Sequence, residues 1–490
     1  MRKWIDTFRV WGPATMRNDF DVIVVGGGGA GLSAAILAKD AGASVMILEA
    51  DTKLGGSTML AGGVFFAAGT SVQRKRGIED TPAAMFDYLM CLNQWELRPN
   101  LIRKLCDLSA PTLEWLIELG VDFPSEWLTC AGAETVPRGH PSRGAGSSIA
   151  ERLVNAAGAR GIEYALNTRV EGLLATQGKI VGVKTPEMDV YSACVILTTG
   201  GFGNNSALLK RFYPTAYYHG ERTYAVHKDA PFILGDGLIM AERIGADIVG
   251  FDTGLLLPAS GNAKVIESEL PPWLMLVNLE GRRFMDETAP YSVAGYIMNH
   301  QTHKRTFAIF DEPTLIKASA DTKYSDPYNC GVPIPTWEEA TIRQCVVKGK
   351  IKTANTIGEL ATFFGIDGIA LEVTVDQYNT DCDRGVDSTF FKKMDQRFPI
   401  RQAPFYIAEV RASTIGLTGA GLNINEKAQV LDQHSRPITG LYAAGEVTGC
   451  IQGRRYGGGG MGIANSVVFG RIAGAEAARE ACKTTSVMAA

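Results

Sequence analysis

The stretch DFDVIVVGGGGAGLSAAILAKDAGASVMILEA, residues 19–50, constrains the fold more than any other part of the chain. Its β-branched run from Asp21 to Val25 predicts a short buried strand. The small and apolar residues from Leu32 to Lys39 predict a helix. A second strand is expected from Ser44 to Leu48, so strand, glycine turn, helix and strand follow one another within about 30 residues.

Three glycines between the first strand and the helix, Gly26, Gly28 and Gly31, have the spacing G-x-G-x-x-G. The first turns the chain, the second admits a pyrophosphate against the backbone, and the third lets helix and strand pack closely. The helix N-terminus then faces the phosphates with its partial positive charge. Glu49, directly after the second strand, is placed to accept hydrogen bonds from ribose hydroxyls. The arrangement predicts a dinucleotide site in a Rossmann-like α/β domain, and by itself it does not separate NAD from FAD.

The bulk properties of the chain exclude several function classes. Its 490 residues exceed what one hydrophobic core usually supports, so two domains are expected. With 46% hydrophobic and 20% charged residues, the composition is that of a globular protein. The net charge of −4 offers no basic field for nucleic acid or an anionic membrane, so neither is expected as a partner.

The nine cysteines are odd in number, and none lies at the two-residue spacing of metal or redox motifs. We therefore expect reduced thiols in a cytoplasmic protein, without a disulfide framework, an iron–sulfur cluster or any other metal site. The first 20 residues lack the apolar core of a signal peptide. No run of about 20 apolar residues occurs, so no membrane span is expected.

The segment KLGGSTMLAGGVFFAAG, residues 53–69, resembles the flavin-contacting loop of the fumarate reductase and 3-ketosteroid dehydrogenase flavoproteins. The same resemblance extends to later segments, among them VILTTGGFGNN (195–205), EGRRFMDETAPY (280–291) and the C-terminal stretch 440–474. It therefore spans nearly the whole chain and implies that the cofactor is FAD. Because the loop has no histidine, we expect the FAD to be bound non-covalently.

By this resemblance, the expected FAD-binding residues extend well beyond the glycine motif and Glu49. They come from the flavin loop, the middle of the chain and the C-terminal stretch. The further positions are Ala30, Ala50, Gly56, Ser57, Thr58, Gly62, Gly63, Val170, Thr199, Gly200, Asp236, Gly445, Glu446, Gly462 and Ile463.

The C-terminal stretch is expected to complete the cofactor site begun at the N-terminus. Its sequence GMGIANSVVFGRIAGAEAAREA predicts a helix whose N-terminus, near Gly462, would aim backbone N–H groups at the flavin. The glycine-rich alternation fades in the middle of the chain, and the resemblance implies an inserted α+β domain that caps the substrate. We predict an FAD-binding domain formed by residues 1–254 and 401–490, with the capping domain at 255–400.

The resemblance also implies the chemistry, which is transfer of two hydrogens across a carbon–carbon bond beside a carbonyl. In the 3-ketosteroid Δ1-dehydrogenases a tyrosine after an acidic-small-Pro segment takes the α-proton, and DETAPY supplies Tyr291. A second tyrosine, four residues ahead of a glycine, holds the ketone oxygen together with that glycine's amide. Tyr456 and Gly460 have this spacing. The expected activity is desaturation of a cyclic ketone, such as a 3-ketosteroid or a cyclohexanone-type substrate, with an external electron acceptor.

The chain departs from the fumarate reductases at their carboxylate-binding positions. Tyr456 stands where their pattern G-A-N-R-L-G-G-N has arginine, and their His-Pro-Thr motif is missing from GFDTGLLLPASG. Arg454 or Arg455 could still bind a carboxylate in a shifted register. Two alternatives therefore stay open: a flavin enzyme that reduces an enone or enoate, and a non-catalytic FAD-binding protein that would need no tyrosine pair.

Overall fold

A computed structural model of the protein describes residues 19–130, 132–227, 230–261, 270–319 and 335–488. The expectation about a signal peptide, and Cys330, lie outside the described residues. The eight described cysteines are free thiols. In the described ranges no helix is long and apolar enough to cross a bilayer, and no cluster of His, Cys, Asp and Glu could ligate a metal ion.

The strands of the described chain belong mainly to two sheets. In chain order they are β1 Phe20–Val25, β2 Val45–Leu48, β3 Val64–Phe66, β4 Gly139–Pro141, β5 Glu163–Ala165, β6 Gly172–Thr176, β7 Lys179–Lys184, β8 Asp189–Leu197, β9 Tyr224–Ala225, β10 Ile248–Val249, β11 Gly254–Ala259, β12 Met275–Asn278, β13 Thr306–Asp311, β14 Lys352–Ala354, β15 Phe405–Thr418, β16 Gly421–Leu422, β17 Gln429–Leu431 and β18 Pro437–Ala443.

The α-helices lie between these strands and after the last of them. In chain order they are α1 Gly29–Asp40, α2 Gly56–Leu60, α3 Ser71–Lys75, α4 Pro82–Leu92, α5 Pro99–Glu118, α6 Ala145–Ala159, α7 Ser206–Phe212, α8 Pro214–Tyr217, α9 Asp236–Arg243, α10 Tyr291–Asn299, α11 Glu312–Ser319, α12 Glu339–Val347, α13 Ile357–Thr362, α14 Gly368–Arg384 and α15 Met461–Met488.

The first sheet has eight strands, six of them in the order β17-β18-β8-β1-β2-β5. The other two branch from β8: β7 pairs with β8, and β6 pairs with β7. Strand β1 pairs in parallel with β2 and with β8, and β18 pairs in parallel with β8. From Val22 to Val25 the central strand β1 is apolar and buried, because helices cover both faces of such a sheet. The predicted strand–helix–strand unit and the α/β fold class are confirmed.

The second sheet has six strands, with β11, β15, β13 and β12 side by side and β14 and β9 also paired with β15. Its long strand β15 runs antiparallel to β11, β13 and β14. Helix α10 packs on β11 so closely that a Cβ atom on Gly295 would collide with the carbonyl oxygen of Leu256. The sheet draws strands from 224 to 418, on both sides of the limits predicted for the capping domain. The division at 254 and 400 stays a prediction.

The two ends of the chain meet where α15 crosses α1. A Cβ atom on Gly470 would collide with the carbonyl oxygen of Ala30, and one on Gly474 with that of Ala34. Glycine at these positions lets the two helix backbones touch, as the small-residue pattern of the C-terminal stretch suggests. Because Gly470 meets Ala30 and Gly474 meets Ala34, the two helices run in the same direction, and α15, which begins at Met461, extends past the start of α1.

A buried ion network holds together the segment that leads into α10. Arg283 makes bonds of 2.9 Å to both carboxylate oxygens of Glu287 and further bonds to Asp387. The ammonium of Lys392 lies 3.2 Å from Glu287 and donates to the carbonyl oxygen of Leu274. Burial alone would raise the pKa of Glu287, but Lys392 and Arg283 outweigh it and hold this pKa below its ordinary value of 4.5.

We expect Glu287→Gln to lower the free energy of unfolding by about 3 kcal/mol at pH 7, because it removes the carboxylate partner of the buried Lys392 and one of the two carboxylate partners of Arg283. A carboxyl whose folded pKa is depressed contributes its stability above pH 4.5 and loses it as the pH falls through the lower folded pKa. The difference between variant and wild type should therefore be constant from pH 7 to 5 and shrink below that. Urea unfolding across this pH range measures it, with the exposed Glu280→Gln as the control from the same segment.

Candidate active site

A cleft opens at the carboxyl ends of the parallel strands of the first sheet. Its wall begins where β1, β2, β8 and β18 end, which is where ligands bind in open α/β sheets. Most of the predicted cofactor residues line it. These are Gly26, Gly28, Ala30, Glu49, Ala50, Gly56, Ser57, Thr58, Val170, Thr199, Gly200, Asp236, Gly445 and Glu446.

Five predicted cofactor residues lie outside the cleft lining. Gly31 sits beneath the turn, where a Cβ atom would collide with the carbonyl oxygen of Gly26, so its contribution is close helix–strand packing. Gly63 packs against the start of α6 near Ala145, and Gly62 borders open space. Gly462 and Ile463 occupy the first turn of α15.

Several residues that line the cleft have no recognisable signal in the sequence. His227 shares a hydrogen bond of 3.0 Å between its Nε2 and the Ser57 hydroxyl, and burial lowers its pKa. Arg169 forms an ion pair with Asp236, whose pKa is raised by burial. Each pair joins residues distant in the sequence, so only the folded chain brings them together.

The glycine turn and Glu49 at the edge of the cleft fit the pyrophosphate and ribose of FAD. Gly28 caps α1 without a side chain, and a Cβ atom there would meet nothing closer than the Cα of Gly56 at 3.9 Å. Oxygens of a pyrophosphate can therefore approach the first amides of α1. The Glu49 carboxylate accepts from the amides of Gly27 at 2.6 Å and Asp51 at 2.8 Å, which fixes it at the edge of the cleft.

The two predicted catalytic tyrosines lie together at the start of α15. Tyr456 is buried in the loop before this helix, and its hydroxyl oxygen accepts from the Gly462 amide at 3.0 Å. Burial raises the pKa of Tyr456 to about 12, although backbone donors of the same turn oppose the rise. Tyr291, the first residue of α10, is also buried, and the two ring centroids are 6.3 Å apart.

Both tyrosines are part of an extended cluster of buried hydrophobic residues. Leu255, Leu257 and Leu417 belong to the same buried cluster as both tyrosines. The Leu417 side chain and the Tyr456 hydroxyl both come within 4 Å of the Cβ position of Gly462, at 3.5 and 3.7 Å. A hydroxyl that accepts from a helix amide keeps its own proton for another acceptor. Tyr456 can therefore offer a neutral donor to a ligand oxygen.

The two candidate arginines have protein partners. The Arg455 guanidinium lies 4.5 Å from the ring centroid of Tyr296 and donates to its hydroxyl at 3.1 Å. Arg454 is half exposed, and its Nε is 4.0 Å from Glu96. His140, in strand β4 opposite Phe65 of β3, is fully buried, with Nε2 2.9 Å from the Thr70 hydroxyl. Burial lowers its pKa to about 4.

Comparison with known proteins shows to which family the chain belongs. The family described as the FAD binding domain matches residues 21–463. The chain belongs to this family. It is 32% identical over 471 residues to fumarate reductase (cytochrome) of Shewanella frigidimarina, covering 94% of this chain and 77% of that protein. With vinyl phenol reductase of Lactiplantibacillus plantarum the identity is 30% over 468 residues, covering 90% and 92%.

A solved structure agrees with these sequence matches. The 3-ketosteroid-Δ4-(5α)-dehydrogenase of Rhodococcus jostii RHA1, in complex with 4-androstene-3,17-dione, superposes with a TM-score of 0.76 at 26% identity. The match covers 94% of this chain and 98% of that one. The predicted superfamily and its FAD cofactor are confirmed. The protein is an FAD-dependent oxidoreductase of the fumarate reductase family that acts on carbon–carbon bonds.

We expect the purified protein to be yellow and to release all of its FAD on denaturation, since the flavin loop 53–69 has no histidine. Glu49→Gln should weaken FAD binding by about tenfold or more, because it removes a charged acceptor from the cleft. Fluorescence of FAD released during dialysis measures this loss. The exposed Glu163→Gln, on the neighbouring strand β5, is the matched control. Flavin that stays with acid-precipitated protein would contradict non-covalent binding.

Proposed function

We propose that the protein interconverts an enone and its saturated ketone, with reduction of the carbon–carbon double bond as its working direction. The observation that carries the proposal is the pair of buried tyrosines in an apolar cluster, with the Tyr456 hydroxyl held by the Gly462 amide. Two relatives named as reductases support the reductive direction. A cyclic ketone such as a 3-ketosteroid or a cyclohexanone-type compound fits the apolar surroundings.

Tyr456 and Gly460 are proposed to hold the ketone oxygen. The hydroxyl of Tyr456 stays protonated because its pKa is about 12, so it donates to a carbonyl that gains negative charge during the reaction. The N-terminus of α15, which begins at Met461, adds its positive end to the same charge. Donors fixed by the fold stabilise this charge without reorganisation.

Tyr291 is proposed to give the α-carbon its proton during reduction and to remove it in the reverse reaction. Its ring lies beside that of Tyr456, so one substrate can meet both hydroxyls. Once reduced by an external electron donor, bound flavin would supply the hydride for the other carbon. We infer a cytoplasmic enzyme whose FAD exchanges electrons with an external partner.

Reduction of an enoate is the second candidate, and the relationship to fumarate reductase favours it. A carboxylate substrate needs a cation, and Arg455 directly precedes Tyr456. Its guanidinium would have to leave Tyr296 to reach such a substrate.

We expect Tyr291→Phe to slow reoxidation of the reduced enzyme by 2-cyclohexen-1-one by about 100-fold, which is the usual effect of removing a positioned acid. FAD content should be unchanged. Stopped-flow absorbance of the reduced flavin under anaerobic conditions measures the rate, and the exposed Tyr191→Phe is the control. The variant should also slow exchange of the α-hydrogens of cyclohexanone into D₂O. A rate near that of the wild type would remove the acid role from Tyr291.

Tyr456→Phe should lower the rate with 2-cyclohexen-1-one by about 100-fold, since it removes one of the donors to the ketone oxygen. Because the pKa of Tyr456 is about 12, the ratio of wild-type to variant rates should stay constant from pH 6 to pH 10. It should fall only as the pH rises toward 12 and the hydroxyl loses its proton.

The same experiment with fumarate separates the two candidate functions. If the substrate is a ketone, Arg455→Ala has a mild effect on the cyclohexenone rate and fumarate is a poor oxidant. A severe loss in Arg454→Ala or Arg455→Ala, rapid oxidation by fumarate, and a mild loss in Tyr456→Phe would together establish the enoate and reject the ketone.

A further inference from the structure

The C-terminal end of α4 contacts the chain immediately before Tyr456. Asn93, the residue that caps α4, is almost fully buried. Its Nδ2 donates to the carbonyl oxygen of Arg455 at 3.0 Å, and the amide of Arg455 donates back to its Oδ1 at 3.2 Å. One side-chain amide thus holds both peptide groups of the residue before Tyr456.

The same helix contacts the chain immediately after Tyr456. The hydroxyl of Tyr88 donates to the carbonyl oxygen of Gly457 at 2.6 Å, and Glu134 lies 3.2 Å from the same hydroxyl. Burial and the Glu134 carboxylate raise the pKa of Tyr88, so it is a neutral donor. Its ring lies 5.4 Å from the guanidinium of Arg138, which is anchored by a buried ion pair.

The loop 453–460 approaches α4 at backbone distance. A Cβ atom on Gly453 would collide with the Oδ1 of Asn93, and one on Gly457 would lie 2.5 Å from the Cδ2 of Leu89. The four consecutive glycines of this loop have unusual conformational freedom. Hydrogen bonds from residues outside the loop therefore help to fix its path.

We propose that Asn93 and Tyr88 are positioning residues for Tyr456, acting as a two-point bracket on the peptide groups either side of it. The inference rests on the proposed function, because the Tyr456 hydroxyl is the group whose place the bracket defines. When the peptide groups of Arg455 and Gly457 are held in place, the direction of the Cα–Cβ bond of Tyr456 is set as well. A displacement of about 1 Å at such a donor can cost up to 100-fold in rate.

The test uses the FAD-loaded protein with Tyr88→Phe and Asn93→Asp, each alone and combined with Tyr456→Phe. Asn93→Asp keeps the acceptor for the Arg455 amide and loses the donor to the Arg455 carbonyl, so it tests the bracket with the smallest change in shape. Tyr164→Phe, an exposed tyrosine on β5, is the control. The measurements are hydrogen–deuterium exchange of the peptide 453–462 and the anaerobic reoxidation rate with 2-cyclohexen-1-one.

We expect each single variant to keep its FAD, to exchange the amides of residues 455–462 about tenfold faster, and to react about tenfold more slowly. Amides of β1 and α1 should exchange as in the wild type. In the Tyr456→Phe background the same substitutions should change the rate less than about twofold, because residues that act through one group are not additive.

Unchanged exchange in 453–462 would overturn the bracket. An equal loss of rate in both backgrounds would overturn it too, because the two residues would then act otherwise than through Tyr456. If Tyr456→Phe by itself leaves the rate unchanged, the ketone-holding function fails, and the exchange result still decides whether Asn93 and Tyr88 fix the loop.

Discussion

The backbone contact between α1 and α15 is the constraint on which the active site depends. These helices come from opposite ends of the chain, and they touch because Gly470 and Gly474 place no side chain against Ala30 and Ala34. The contact sets the N-termini of both helices near one edge of the parallel sheet. One helix can then face a pyrophosphate and the other the reacting end of the site, so a single packing interaction serves both parts of the cofactor.

The catalytic candidates come from both sheets. Tyr291 begins α10, which packs on β11 of the second sheet, whereas Tyr456 precedes α15, which packs on the first. Arg455 joins the two parts through the ring and hydroxyl of Tyr296, five residues after Tyr291 on α10. The geometry of the tyrosine pair therefore depends on how the second sheet sits on the first, and on the contacts that fix each tyrosine within its own part.

The charged groups near the tyrosine pair have protein partners: Glu446 accepts from Thr418, and Arg455 donates to Tyr296. The ion network of Arg283, Glu287 and Lys392 is internally paired and buried beneath the segment that leads to Tyr291. Both tyrosines belong to a buried hydrophobic cluster that includes Leu255, Leu257 and Leu417, and low polarity strengthens the hydrogen bonds that a donor makes to a ligand. An anionic substrate would gain little from such surroundings, whereas a ketone needs only the donors.

The sequence by itself determined the strand–helix–strand unit, the place of Glu49 and the helix at the C-terminus, because these follow from local periodicity and from the sterics of closely spaced glycines. It also singled out Tyr291 and Tyr456 by their resemblance to a known pattern. Only the tertiary structure decided that Arg455 turns to Tyr296, that His227 meets Ser57, and that β15, which lies beyond the predicted end of the capping domain, pairs with β13 inside it. Each of these depends on packing between residues far apart in the chain, and no local pattern records which distant partner a side chain will meet.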